Sequence, residues 1–93
     1  MVEARPPGTI LSMQLHVLAF ASASDALGAT ETDVEVPAGL DVAGLRAELG
    51  RRYPALAPLW PRLAIGVDGV IAGETTTLRE GAEVALLPPV SGG

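Results

Sequence analysis

From Leu15 to Ala21 the chain is almost wholly apolar, with Leu15, Val17, Ala19 and Ala21 on one parity and His16, Leu18 and Phe20 on the other. A strand with apolar groups on both faces belongs in the interior of a sheet. After the turn at Gly28, Thr30 to Val36 alternates strictly, with Thr32, Val34 and Val36 on one side and Glu31, Asp33 and Glu35 on the other. That pattern predicts a strand with one buried face and one acidic, solvated face. Pro37, Ala38 and Gly39 end it, and Asp41 then stands as the N-cap of a helix from Val42 to Arg52. Val42, Leu45 and Leu49 form its buried stripe, while Arg51 and Arg52 occupy the last turn, where positive charge suits the helix dipole.

Pro54 forbids continuation of that helix, and the proline-rich stretch from Tyr53 to Arg62 reads as a linking loop with Trp60 as its anchor. Leu63–Val67 and Val70–Ala72 flank Asp68-Gly69, a pair that tolerates the positive φ of a two-residue hairpin turn. Gly73 to Gly81 is polar apart from Leu78, and Glu83–Leu87 is a last strand directing Val84 and Leu86 inward. The predicted order is strand, strand, helix, then three strands. This gives an α+β domain over residues 13–87, preceded by a leader at 1–12 and followed by an extended tail at 88–93.

Composition narrows the function. Six Arg, no Lys and eleven acidic residues give a net charge of −5, the wrong sign for neutralising phosphates, so a nucleic-acid partner is not expected and a basic protein partner is. The absence of Lys removes every side-chain amine for a Schiff base or for self-conjugation, and the absence of Cys removes thiol chemistry and disulfides. No segment approaches the roughly 20 apolar residues of a membrane span, and Met1 to Ser12 lacks a signal-peptide core, which together predict a cytoplasmic protein. Neither a nucleophile elbow nor a phosphate loop is present, and the lone His16 reads as a partly exposed strand residue.

The chemistry concentrates at the end of the chain, Leu86-Leu87-Pro88-Pro89-Val90-Ser91-Gly92-Gly93. Two prolines set an extended path after the last strand, so the residues from Pro88 onward can project roughly 20 Å. Two terminal glycines then let a carboxylate pass through a narrow channel without steric hindrance.

This segment, with Leu15-His16-Val17-Leu18-Ala19-Phe20-Ala21, Leu27-Gly28 and the helix after Pro37, resembles the small subunit of molybdopterin synthase. That family consists of sulfur carriers with the ubiquitin-like β-grasp fold, a mixed five-stranded sheet with one main helix. The resemblance covers about residues 13–93 and departs at Ala19, often aromatic in the family, and at Ser24, often basic. It implies that a ubiquitin-activating-type adenylyltransferase uses ATP and magnesium to adenylate Gly93, after which sulfur replaces the adenylate to give a thiocarboxylate. The chain itself would be a non-catalytic carrier with no bound cofactor or metal. Its tail, Pro88, Pro89, Val90, Ser91 and Gly92, would insert into the large synthase subunit within a heterotetramer and deliver sulfur to a pterin precursor. Phe20 and Leu87, which strand parity turns away from the core, and Ile71, which follows from the resemblance, would form the docking surface. Competing readings are a carrier for thiamine or cysteine synthesis, a ubiquitin-like modifier, and a β-grasp binding module whose tail is never activated.

Overall fold

The computed structural model describes residues 12–89. Its elements are β1 (Ser12–Ala19), α1 (Ser22–Leu27), β2 (Glu31–Pro37), α2 (Val42–Arg52), a 3-10 helix (Pro54–Arg62), β3 (Ala64–Val67), β4 (Val70–Ala72) and β5 (Glu83–Leu87). The five strands form one sheet in the order β2-β1-β5-β3-β4. The central β1 and β5 run parallel, and every other pair is antiparallel. This is the mixed sheet with a helix across one face that the resemblance implies.

The periodicities translate directly into burial. Leu15, Val17 and Ala19 of β1, Val34 and Val36 of β2, and Val84 and Leu86 of β5 are buried, and Val42, Leu45 and Leu49 of α2 belong to the same core. The Asp41 carboxylate caps α2 by accepting from Gly44 N at 2.8 Å. The two preceding N–H groups, of Val42 and Ala43, donate to the carbonyls of Thr76 and Glu74 at 3.0 Å each. The polar segment from Gly73 to Gly81 thus satisfies helix donors that no intrahelical carbonyl can reach, and the buried Leu78 pins it to the core. The Asp68-Gly69 turn has φ of 51° and 87°, the double positive geometry of a type I′ hairpin.

Three expectations change. β1 stops at Ala19 and not at Ala21, because Ala21 takes φ 51° and redirects the chain into α1. The six-residue α1 is too short to show a helical period; it inserts Ala23 and Leu27 into the core and ends on Gly28 in the left-handed region. The stretch expected to be a loop after Tyr53 is instead a 3-10 helix, whose geometry suits the fixed φ of Pro54, Pro58 and Pro61. Leu56 and Trp60 are buried from it. Trp60 anchors the segment against α2, where Gly50 leaves room for the indole and the Arg46 guanidinium lies 5.6 Å from the ring centroid.

The outer side of the β1–β2 pair carries the charged residues. His16 faces Asp33 across the ladder, and its Nδ1 and Nε2 lie 2.7 Å from the carboxylates of Asp33 and Glu31 respectively. Glu35 accepts from the Ser12 hydroxyl. The acidic stripe is therefore tied into side-chain contacts as well as solvated. On α2, Glu48 sits between Arg51 and Arg52, and hydrogen bonds from Arg51 first and Arg52 second hold its carboxyl below the usual range.

Two measurements test this description. Leu49 is fully buried, so Leu49→Ala is expected to lower unfolding free energy by about 2 to 5 kcal/mol in denaturant titrations, whereas the exposed Gln14→Ala changes it little; equal effects would displace the helix from the core. The hydrogen bond to Asp33, then that to Glu31, raises the His16 pKa above 6.5. Protonation is then favoured in the folded state, so the stabilisation is complete below about pH 6.5 and fades as pH rises through the folded-state value. NMR titration of the His16 ring should show the raised value, and His16→Gln should flatten stability against pH over that window.

Candidate functional site

The face of the sheet opposite α2 is built from the residues that strand parity turns outward. Leu18 of β1 pairs with Ala85 of β5, Ala85 with Gly66 of β3, and Gly66 with Ile71 of β4. One row across four strands therefore reads Leu, Ala, Gly, Ile, with two small residues between two large ones. The result is a shallow groove of about 240 Å³ whose lining includes Leu18, Phe20, Gly66, Ile71, Ala85 and Leu87. A side chain at Gly66 would meet the Ala85 Cβ and the Leu87 Cδ1 at 3.6 Å and fill the floor.

Phe20 lies one residue past β1, where its N–H donates to the Leu86 carbonyl at 3.3 Å and extends the parallel ladder. That bond sets its ring beside Leu87. Phe20 also borders a second hollow, with Leu18, Ser24, Thr30 and Glu31, so it forms a ridge between two depressions. Phe20, Val70 and Ile71 are 49%, 68% and 65% exposed and are the large exposed hydrophobic residues of the described chain. Leu87 is half-buried.

The structure thus brings Phe20, Ile71 and Leu87 to one groove. Val70 belongs with them and was not expected there. Its signal was available: an apolar residue straight after a tight turn, on a strand that proves to be the sheet edge. Exposed apolar residues grouped around one groove stand out on a monomer surface and make it the candidate contact surface of the described residues.

Pro88 and Pro89 leave β5 beside this groove, because Leu87 supplies its wall. Opposite, the same two prolines line a crevice of about 340 Å³ with Ser22, Leu59, Arg62 and Leu63. The chain's exit therefore has an apolar groove on one side and an Arg-containing crevice on the other. Val90, Ser91, Gly92 and Gly93 lie outside the described residues. Among the described residues no group of three or more His, Cys, Asp or Glu is placed to hold a metal ion, and no helix is long and apolar enough to cross a membrane.

Comparison with known proteins gives the family and the fold. Residues 17–93 match the model of the ThiS family. The molybdopterin synthase sulfur carrier subunit of Mycobacterium tuberculosis is 37% identical over 82 residues, spanning 87% of this chain and 99% of that protein. The crystal structure of small archaeal modifier protein 1 from Haloferax volcanii superposes with a TM-score of 0.76 at 25% identity, covering 86% of this chain and 99% of that one. A chain in the complex of subunits 1 and 2 of the molybdopterin-converting factor from Helicobacter pylori superposes with a TM-score of 0.64 at 26% identity, covering 87% and 100%. With the family model spanning most of its length and its sheet in the β-grasp order, the chain belongs to the ThiS family of ubiquitin-like proteins.

Proposed function

We propose that this protein is the sulfur-carrying small subunit of a molybdopterin synthase, and that Gly93 is the atom carrier. The observation that supports this most directly is the position of the exposed apolar groove at the root of the Pro88-Pro89 exit. A partner seated on Phe20, Ile71 and Leu87 receives the tail as a consequence of docking. From Pro89 the remaining residues reach about 13 Å further when extended, enough to carry a terminal carboxylate into a buried site.

A carboxylate with a pKa near 3.5 is ionised at neutral pH and resists attack at its carbon. An adenylyltransferase of the ubiquitin-activating type overcomes this with ATP and magnesium: a carboxylate oxygen of Gly93 attacks the α-phosphorus and pyrophosphate leaves. A sulfur nucleophile then displaces AMP, so the chain ends in a thiocarboxylate. In the large subunit the sulfur passes to a pterin precursor, and water restores the oxygen at Gly93. The catalytic groups belong to the partners, and this chain acts as their co-substrate in a cytoplasmic heterotetramer.

Likeness to a small archaeal modifier protein supports a second reading, in which the activated Gly93 is joined to lysines of target proteins. The terminal chemistry is shared. Having no Lys, the chain cannot build polymers through its own side chains.

Two experiments test the proposal. Incubation with the cognate activating enzyme, ATP and a sulfur donor should raise the intact mass by roughly 16 Da, the difference between oxygen and sulfur, and removing Gly93 should abolish the gain by misplacing the carboxylate about 3.5 Å. Normal thiocarboxylation of the shortened chain would refute the carrier role of Gly93, and a mass increase on lysines of other proteins would favour the modifier reading. In calorimetric titration with the isolated large subunit, Phe20→Ala should weaken binding by about 2 kcal/mol or more with an unchanged fold. Undiminished affinity in Phe20→Ala combined with Leu87→Ala would place the interface elsewhere.

A further inference from the structure

The arginines of this acidic chain are used unevenly. Arg46 pairs with Glu74, Arg51 and Arg52 with Glu48, and Arg79 with Asp68. Among the described residues Arg62 alone of the arginines holds no carboxylate. It lies in the crevice at the tail's exit, with Leu59, Leu63, Pro88 and Pro89 as apolar neighbours and Ser22 as the other polar one. Among the described residues no acidic one lines that crevice, although the chain as a whole carries five negative charges in excess. Across the sheet from that crevice, the β2 edge of the outer face is negative, with Glu31 and Asp33 opposite Leu18 and His16 of β1.

We infer that the Arg62 crevice is a second anchor for the protein that encloses the tail, receiving a carboxylate of that partner, and that it fixes the rotational setting of the docked domain. An apolar groove resists separation but specifies rotation about its own normal poorly. Negative charge on the β2 flank and positive charge at the Arg62 crevice, before β3, remove that freedom, because only one orientation brings both onto complementary groups. The tail leaves between groove and crevice, so a partner that closes around Pro88 and Pro89 covers Arg62 as well. The apolar walls then exclude water from the ion pair, which makes it stronger than an exposed surface pair. Among the described residues the free chain gives this guanidinium no carboxylate.

The inference rests on the reading of this chain as a partner-docked carrier, and its test uses the full chain and the isolated large subunit. Wild type, Arg62→Lys, Arg62→Gln and Arg62→Glu are titrated at low and at high salt, with Arg51→Gln as a control that removes the same net charge elsewhere. At low salt Arg62→Gln should bind about tenfold more weakly and Arg62→Glu weaker still, while Arg62→Lys and the control stay within about threefold of wild type. The difference between wild type and Arg62→Gln should shrink at high salt. Arg62→Glu binding as tightly as wild type, or Arg51→Gln losing as much as Arg62→Gln, would overturn the anchor and leave the carrier reading intact. Failure of the wild-type chain to bind at all would overturn both. Each variant's amide spectrum shows whether the fold is retained, which the exposure of Arg62 predicts.

Discussion

The parallel pairing of β1 with β5 is the contact on which the rest of the molecule depends. It joins the first and last strands, so no local turn can form it, and the closure of the intervening chain must be repaid by burial. Val17 beside Val84 and Ala19 beside Leu86 provide that burial on the inner face. The same register places Phe20 next to Leu87 on the outer face and releases the tail there. Fold and outer groove therefore share one constraint, since a slip of one residue would exchange the inner and outer sets.

The two faces of the sheet meet different demands. Inside, α2, α1 and the 3-10 helix cover an unbroken core, and the N-terminal donors of α2 find acceptors in Asp41, Thr76 and Glu74. Outside, Gly66 and Ala85 keep the centre of the sheet low, leaving Leu18, Phe20 and Ile71 standing around it. A larger residue at Gly66 would fill this depression without improving the core. The small residues serve the surface, and the surface remains apolar at some cost in solubility that the acidic excess offsets.

Charge is arranged with comparable economy. Most of the described arginines neutralise acids of their own domain, and His16 is held by the two carboxylates of Glu31 and Asp33. Among the described residues the acidic stripe lies along β2, and the one arginine without a carboxylate is Arg62, beside the exit of the tail. The asymmetry runs across the sheet, from β2 to the segment before β3, and charge separated in this way can orient a partner as well as attract one.

Much of this was legible in the linear chain. The alternation from Thr30 to Val36, the stripe Val42, Leu45 and Leu49 capped by Asp41, and the Asp68-Gly69 turn each depend on neighbours within a few residues, and local sterics and hydrogen bonding decide them. The terminal Pro-Pro-Val-Ser-Gly-Gly reads from residue type as an extended end with an unhindered carboxylate, and its activation follows only from the resemblance. Other features had no local signature. α1 is shorter than two helical turns, and the 3-10 helix hides among prolines that ordinarily signal a loop; both are held by burying Ala23, Leu27, Leu56 and Trp60 against distant strands and helices. The company kept by Arg62, the clasp around His16 and the addition of Val70 to the groove also emerge only when strands meet. A residue's own period tells which way its side chain points, but what it meets there depends on pairing between segments far apart in the chain, and that is settled by tertiary packing.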